Sequence, residues 1–308
     1  MRDLDLTTLR LFVAVCEARN MARAAEQHAI AGSAISKRLA ALEDAVGTSL
    51  LLRRRRGVEP TAAGETMLEH ARAMLARVAQ IERDMAGYAA GVRGHVRVLA
   101  TQSAMAESLA DDVAAFLGIP EHAAIRVDLE EALSTQVLRA VREGSASIGI
   151  CWDAADLSGL QSRAWRSDQL AVVMAPDHPL AQREQLALLD SLSYEQVCLP
   201  PGTAVQMTLQ RAAARHGQTI KSRVVAATFD AALRVVRARL AIAVLPAELC
   251  APYANSFGLR VVPLTDAWAK RRFAICFRSE DALTPAARAL TEHLVRLASH
   301  GKPNASAQ

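Results

Sequence analysis

Six basic side chains crowd one short stretch of the chain: Lys37, Arg38 and the unbroken run Arg53-Arg54-Arg55-Arg56, against two acids, Glu43 and Asp44. The net charge from Ser33 to Arg56 is +4, equal to that of the whole chain, so the positive field is concentrated here. A charge run by itself is usually a solvated face. This one follows helix-turn-helix spacing, in Ala22-Arg23-Ala24-Ala25-Glu26-Gln27 and then Ser33-Ala34-Ile35-Ser36-Lys37-Arg38-Leu39. Short side chains around Lys37 and Arg38 let a helix sit deep in the major groove of DNA, where cations reach base edges and phosphates. The arginine run, ending in Gly57, fits a hairpin wing lying on the neighbouring backbone.

A second set of residues is quieter. Thr101, Ser103, Ser134, Thr135, Gly202, Thr203 and Thr228 stand where strand patterns give way to helix patterns. Singly, each hydroxyl reads best as an ordinary helix N-cap. The five cysteines (Cys16, Cys151, Cys198, Cys250, Cys276) are odd in number, lack metal-ligand spacing and lie in apolar stretches, as small buried side chains do. The cysteines nearest to Cys198 in sequence are Cys151 and Cys250, both far outside any one loop, which argues against a peroxide-sensing pair on one loop. The eight histidines are scattered, and no metal site or cofactor is expected. No Gly-x-Gly-x-x-Gly, Gly-x-Ser-x-Gly or P-loop is present, which removes the commonest enzyme readings of an α/β chain.

The elements that must position these groups are legible from periodicity. Asp5 caps a first helix with Leu9, Phe12, Val13 and Cys16 on one face, and Asn20 caps a second, Met21 to His28. The third runs from Gly32 to Val46 without a capping side chain at Ala31. Its inward stripe is Ile35, Leu39, Leu42 and Val46; Ser33, Lys37, Ala40 and Ala41 lie opposite, with Ser36 and Arg38 on the flanks. Thr61 opens a long helix reaching Tyr88, where Met67, Ala71, Met74, Val78, Ile81 and Met85 alternate spacings of four and three. So narrow a seam suits a partner helix. Gly91 to Gly94 read as a hinge. Strand and helix patterns then alternate: strands at 95–100, 125–130 and 147–151 around helices at 103–117 and 134–143, then strands at 169–174, 196–199, 223–226, 242–245 and 259–262 around helices at 204–216 and 228–239. A strand at 273–277, a helix at 285–298 and a frayed tail from Gly301 close the chain. Such βαβαβ order implies right-handed crossovers and a mostly parallel sheet. A chain of 308 residues, 51% hydrophobic, suffices for two or three domain cores. It has neither an apolar leader nor a run of ~20 apolar residues, so a cytoplasmic, nucleoid-associated protein without a membrane partner is expected.

The N-terminal segment resembles the winged helix-turn-helix of LysR-type transcriptional regulators. Matching residues are Leu9-Arg10-Leu11-Phe12, Arg23-Ala24-Ala25, Ser33 to Leu39, Leu42-Glu43, Gly47, Leu50-Leu51, Arg53 and Thr61-Ala62-Ala63-Gly64. Leu52 stands where the family usually has an aromatic residue, Ala31-Gly32-Ser33 replaces its common Ser-Gln-Pro entrance, and Arg239 and Ala241 stand where many relatives have glycine. Pro200-Pro201-Gly202-Thr203 and Ala241 to Pro246 extend the likeness into the C-terminal part. The resemblance implies a winged helix-turn-helix domain over 1–60, a linker and dimerisation helix over 61–90, and a bilobed, periplasmic-binding-protein-like α/β effector domain over 91–308. Lobe I of that domain would take 95–165 and 267–300, and lobe II 166–266.

By the same resemblance, Arg23, Ser33, Ser36, Lys37, Arg38 and Arg53 to Arg56 contact double-stranded DNA at an interrupted palindrome. The helix seam pairs two copies in a homodimer or homotetramer, and RNA polymerase is a further partner. The seven strand-end residues converge on one cleft for a small anionic effector, a carboxylate. The alternative is a DNA-binding regulator or architectural protein that ignores small molecules, which a ligand-induced change of footprint would separate.

Overall fold

The computed structural model describes residues 4–54, 57–89 and 94–299. Arg55, Arg56, most of the glycine hinge and the C-terminal tail lie outside the described residues, as does the side chain of Arg53. Contacts divide the chain into two compact units, one built from the residues up to Ala90 and one from those beyond.

The first unit holds α1 (Leu6–Ala18), α2 (Met21–Gln27), α3 (Gly32–Val46), a hairpin of β1 (Leu51–Arg54) and β2 (Gly57–Pro60), and α4 (Ala62–Ala89). Both expected caps form. The Asp5 carboxylate accepts from the backbone N–H groups of Thr7 and Thr8 at 3.1 and 3.0 Å, and Asn20 accepts from Ala22 and Arg23 at 2.9 and 3.1 Å. With the Thr8 hydroxyl donating to it as well, Asp5 titrates below the usual carboxylate range. No side chain caps α3 at Ala31, and Gly47 ends it in the left-handed region at φ 74°.

Leu9, Phe12, Val15, Ala24, Ile35, Leu39, Leu42, Leu50 and Val58 form one core with Leu68 and Ala71 of α4. Glu43 points into this junction: one oxygen accepts from Leu50 N at 2.7 Å and Leu51 N at 3.0 Å, tying the end of α3 to the start of the wing. Gly64 lies so close to the same junction that a Cβ there would fall 2.0 Å from the Leu50 carbonyl oxygen.

The heptad on α4 is corrected in one respect. Ala71 is fully buried within its own unit and Met67 packs on the same core, so these two serve α1 rather than a partner. Their spacing matches the seam because the first turns of α4 already have a neighbour, α1, held also by Arg72 on Glu17 at 2.8 Å. Val78 is half-buried. Met74, Ile81 and Met85, at 42%, 52% and 56% exposure, remain uncovered.

In the second unit the described residues form a sheet of nine strands in the order β4-β3-β5-β11-β6-β9-β7-β8, with β10 also on β6. Here β3 is Gly94–Ala100, β4 Ile125–Glu131, β5 Ile148–Trp152, β6 Gln161–Met174, β7 Glu195–Cys198, β8 Lys221–Val225, β9 Ile242–Pro246, β10 Arg260–Pro263 and β11 Lys270–Phe277. The helices are α5 (Gln102–Ala104) and α6 (Ala110–Leu117), joined by a π turn over Met105–Leu109, then α7 (Ser134–Glu143), α8 (Leu188–Ser191), α9 (Ala204–Arg215), α10 (Phe229–Arg237), α11 (Ala247–Phe257) and α12 (Pro285–Ser299).

The sheet is mixed rather than mostly parallel. Pairing is parallel for β3 with β4 and β5, and for β7 with β8 and β9. It is antiparallel wherever β6 or β11 takes part. β6 starts eight residues before the expected strand, and its first part pairs with β11 while its last residues pair with β9 and β10. That first part, Gln161 to Asp168, is too polar to signal a strand; the β11 backbone makes it one. Three apolar clusters result, one around Phe116, Ile148 and Phe273, one around Val172, Leu233 and Leu245, and a smaller one around Leu99, Val137 and Cys276. Helix α11 lies where no element is expected from the sequence; Pro246 precedes it, and Pro252 sits within it. Arg239, where many relatives have glycine, occupies the left-handed region at φ 62°, which glycine takes without steric cost.

Gly64→Ala forces backbone atoms apart at the α3–wing–α4 junction. It should destabilise the first unit by about 1–3 kcal/mol and weaken DNA binding with it. An unchanged thermal midpoint would contradict the close approach.

Candidate functional site

On the first unit, the exposed face of α3 carries Ser33, Lys37, Ala40 and Ala41, with Arg23 exposed on the preceding helix. Their inward counterparts Ile35, Leu39 and Leu42 are buried, so the helix presents the face its sequence pattern indicates. Two flanking residues differ from expectation. Ser36 is half-buried and its hydroxyl donates to Met21 Sδ at 2.9 Å, directing it at α2 rather than outward. Arg38 turns back to the α1 cap, donating to Asp5 at 3.0 Å and to Thr8 Oγ1 at 3.3 Å. Across the wing, Arg54 donates to Glu59 at 3.0 Å. Both ion pairs are about half exposed and worth ~0–1 kcal/mol, so either arginine can exchange its carboxylate for a phosphate at small cost.

On the second unit, a cavity of about 240 Å³ opens at the carboxyl ends of β3, β4, β7 and β8. Thr101, Ser103, Ser134 and Thr203 line it together, with Glu131, Gln102 and Gln136 as the other polar contributors and Leu133, Leu199, Val205 and Phe229 among the apolar ones. Three expected members do not line it. Thr135 is one residue along α7 from Ser134, a rotation of about 100° that carries it off the wall. Gly202 makes the turn before α9 at φ 91° and contributes no side chain. Thr228 caps α10, accepting from Ala231 N at 3.2 Å.

The cap geometry decides which groups stay free for a ligand. The Thr203 hydroxyl donates to the Pro200 carbonyl at 2.9 Å and makes no cap bond, and Thr101 makes none either. The first N–H groups of α9 are therefore without side-chain partners, and a helix of 12 residues directs them and its dipole at the cavity.

Beneath Ser103 lie two charges that sequence reasoning missed. Arg271 of β11 and Asp168 of β6 are direct partners in the antiparallel register, and both side chains are buried, Arg271 completely. Arg271 Nε donates to Asp168 Oδ1 at 2.8 Å, and Nη2 donates both to Asp168 Oδ2 and to Ser103 Oγ, the latter at 3.1 Å. Burial pushes the Asp168 carboxyl up, while the Arg271 charge and hydrogen bonds pull it back. Nη1 of Arg271 has no partner among the described residues. The only sequence signal was one acid and one arginine in segments that otherwise read as strand and loop, 103 residues apart.

Cys151 and Cys276 interact side chain to side chain, which raises the Cys151 thiol and lowers that of Cys276. All five cysteines are free and buried, and burial raises Cys16 to about 11 and Cys250 to about 12. No group of three or more metal-ligating side chains occurs among the described residues. No described helix is long and apolar enough to cross a membrane.

Residues 6–65 match the bacterial regulatory helix-turn-helix protein, lysR family, and residues 89–299 match the LysR substrate binding domain. The chain belongs to the LysR family. Among curated relatives of this LysR-family chain is the uncharacterized HTH-type transcriptional regulator Mb2303c of Mycobacterium bovis, 30% identical over 190 residues. That match spans 59% of the chain and 59% of the relative. Among solved structures, full-length CbnR complexed with its target DNA superposes with a TM-score of 0.63 at 23% identity, covering 95% of this chain and 99% of CbnR. The effector binding domain of QuiR, in complex with shikimate, has a TM-score of 0.58 at 15% identity over 67% of this chain and 98% of its own. These likenesses establish a helix-turn-helix unit, a linker helix and a mixed α/β effector domain as LysR-type architecture.

Asp168→Asn leaves Arg271 as an uncompensated buried charge and should cost about 3–5 kcal/mol, whereas replacing both with apolar residues of similar volume recovers most of that loss. Denaturant unfolding of the two variants checks this; equal stability of Asp168→Asn and wild type would show that the pair is not desolvated.

Proposed function

We propose that this chain is a transcriptional regulator that binds DNA through α3 and the β1–β2 wing and responds to a small carboxylate held in the β3–β4–β7–β8 cavity. The observation carrying the proposal is the pairing of two features in one chain: a small-residue, basic α3 face, and a cavity where uncapped helix N–H groups and free hydroxyls meet. CbnR, of like fold, is held with its target DNA. The QuiR domain holds shikimate, a ring carboxylate. At about 240 Å³ the cavity lies just below the ~300–1,000 Å³ typical of drug-sized ligands, so it suits a small metabolite.

Recognition divides between the two elements of the DNA-binding unit. Lys37, exposed with Ser33 at the groove-facing turn of α3, reaches base edges; Arg23, Arg38 and Arg53 to Arg56 supply phosphate contacts and register. Exposed Met74, Ile81 and Met85 pair α4 with a second copy, in a homodimer or a homotetramer built from it. Two heads so spaced read an interrupted palindrome, each raising the effective concentration of the other. Effector binding shifts the arrangement of the heads by its differential affinity for two conformations, and contact with RNA polymerase follows from that arrangement.

Lys37→Ala should lower operator affinity by about 1–3 kcal/mol and relax base preference at one position. Arg54→Ala should weaken all sequences alike and flatten the salt dependence by up to about one unit of slope. Fluorescence anisotropy across a salt series reads both; identical slopes for wild type and Arg54→Ala would remove the wing contact. For the cavity, calorimetric titration with shikimate and succinate is informative. Ser103→Ala should weaken whichever acid binds by about tenfold or more, and binding that survives the substitution would place the carboxylate elsewhere.

A further inference from the structure

The cavity lining carries one formal charge, and its sign is negative. Glu131 closes β4 at the cavity, and no lysine, arginine or histidine lines it. The other two acids of that strand are engaged: Asp128 with His95 at 2.7 Å and Arg126 at 2.9 Å, and Glu130 with Arg97. Glu131 has no hydrogen-bond or ion-pair partner among the described residues. The positive charge beneath Ser103 does not offset it, because Arg271 is neutralised by Asp168.

The other polar lining groups are uncharged, and several can donate. Ser103 Oγ already accepts from Arg271, which leaves its hydroxyl hydrogen to be given to a ligand. The N–H groups opening α9 face the cavity from the other half of the sheet. A simple anion satisfies these donors and is repelled by Glu131. A molecule bearing a carboxylate and a protonated amine satisfies both.

We propose that the effector is amphoteric, an amino acid or a small amino-substituted acid, with its carboxylate between Ser103 and the α9 N-terminus and its ammonium group on Glu131. This rests on the cavity being the effector site for a carboxylate. Glu131 sets the class: the donors accept any small acid, and the lone carboxylate selects among acids for the one that brings its own positive charge.

Matched pairs of probes test this on the full-length protein by calorimetry: glycine against acetate, leucine against 4-methylpentanoate, phenylalanine against 3-phenylpropanoate, and glutamate against glutarate. The expected result is at least one pair in which the amino acid binds about tenfold or more tightly than its deaminated partner, the size of effect a close charge pair supplies. Glu131→Gln, isosteric and at an exposed position, should erase that preference and leave the deaminated acid bound equally well or better. Acids that bind with no pair showing that preference, or a preference that persists in Glu131→Gln, overturn the proposal. In that case, sensitivity of the acid to Ser103→Ala leaves the carboxylate site standing. Absence of binding by every compound in both series overturns the amphoteric class and the carboxylate site together.

Discussion

Two fully desolvated charges hold the middle of the α/β unit. Arg271 and Asp168 face each other across β11 and β6, the strands that run antiparallel between two otherwise parallel halves. Removing a guanidinium and a carboxylate from water costs several kcal/mol each, and only close geometry repays it. Here the Asp168 carboxylate accepts from both Nε and Nη2, so the pair fixes the register of the two crossing strands as well as neutralising itself. Because Nη2 also reaches Ser103, the same guanidinium connects that register to the polar floor of the cavity.

The cavity inherits its character from that arrangement. Strand ends from both halves of the sheet meet there, so its walls are helix N-termini and short hydroxylated turns rather than long charged side chains. Which hydroxyls face a ligand follows from bonds they have already made: Thr228 is spent on capping α10, and the Thr203 hydroxyl on a carbonyl, leaving backbone donors of α9 open. Against this donor-rich surface the carboxylate of Glu131 stands as the single opposing charge.

The DNA-binding unit depends on close approach more than on charge. Ala71 lets α4 settle against α1, and Gly64 lets it pass over the Leu50 carbonyl. Glu43, an acid within the basic stretch, holds the wing in place through two backbone N–H groups. Arginine on the wing and on the flank of α3 supplies affinity; the short exposed face around Lys37 supplies the shape that enters a groove.

Periodicity was enough to read α1 to α4, the wing and most strands of the α/β unit, because each of those segments buries one regular stripe. Caps at Asp5 and Asn20 were legible from their own side chains, which accept from the N–H groups two and three residues on. Of the seven residues expected at the cavity, Thr101, Ser103, Ser134 and Thr203 do line it, since strand-to-helix junctions announce themselves. What the sequence alone could not supply were facts set by partners remote along the chain. The polar first part of β6 becomes a strand only beside β11, and Ala71 belongs to the core only because α1 covers it. Ser36 and Arg38 turn inward because Met21 and Asp5 offer them partners, while Arg271 finds Asp168 only after the strands cross. Local pattern determines which elements form and which face each presents. The pairing of buried charges, and so the polarity of the cavity, waits on tertiary structure, because electrostatics in a desolvated interior depends on distance in space and not on separation in sequence.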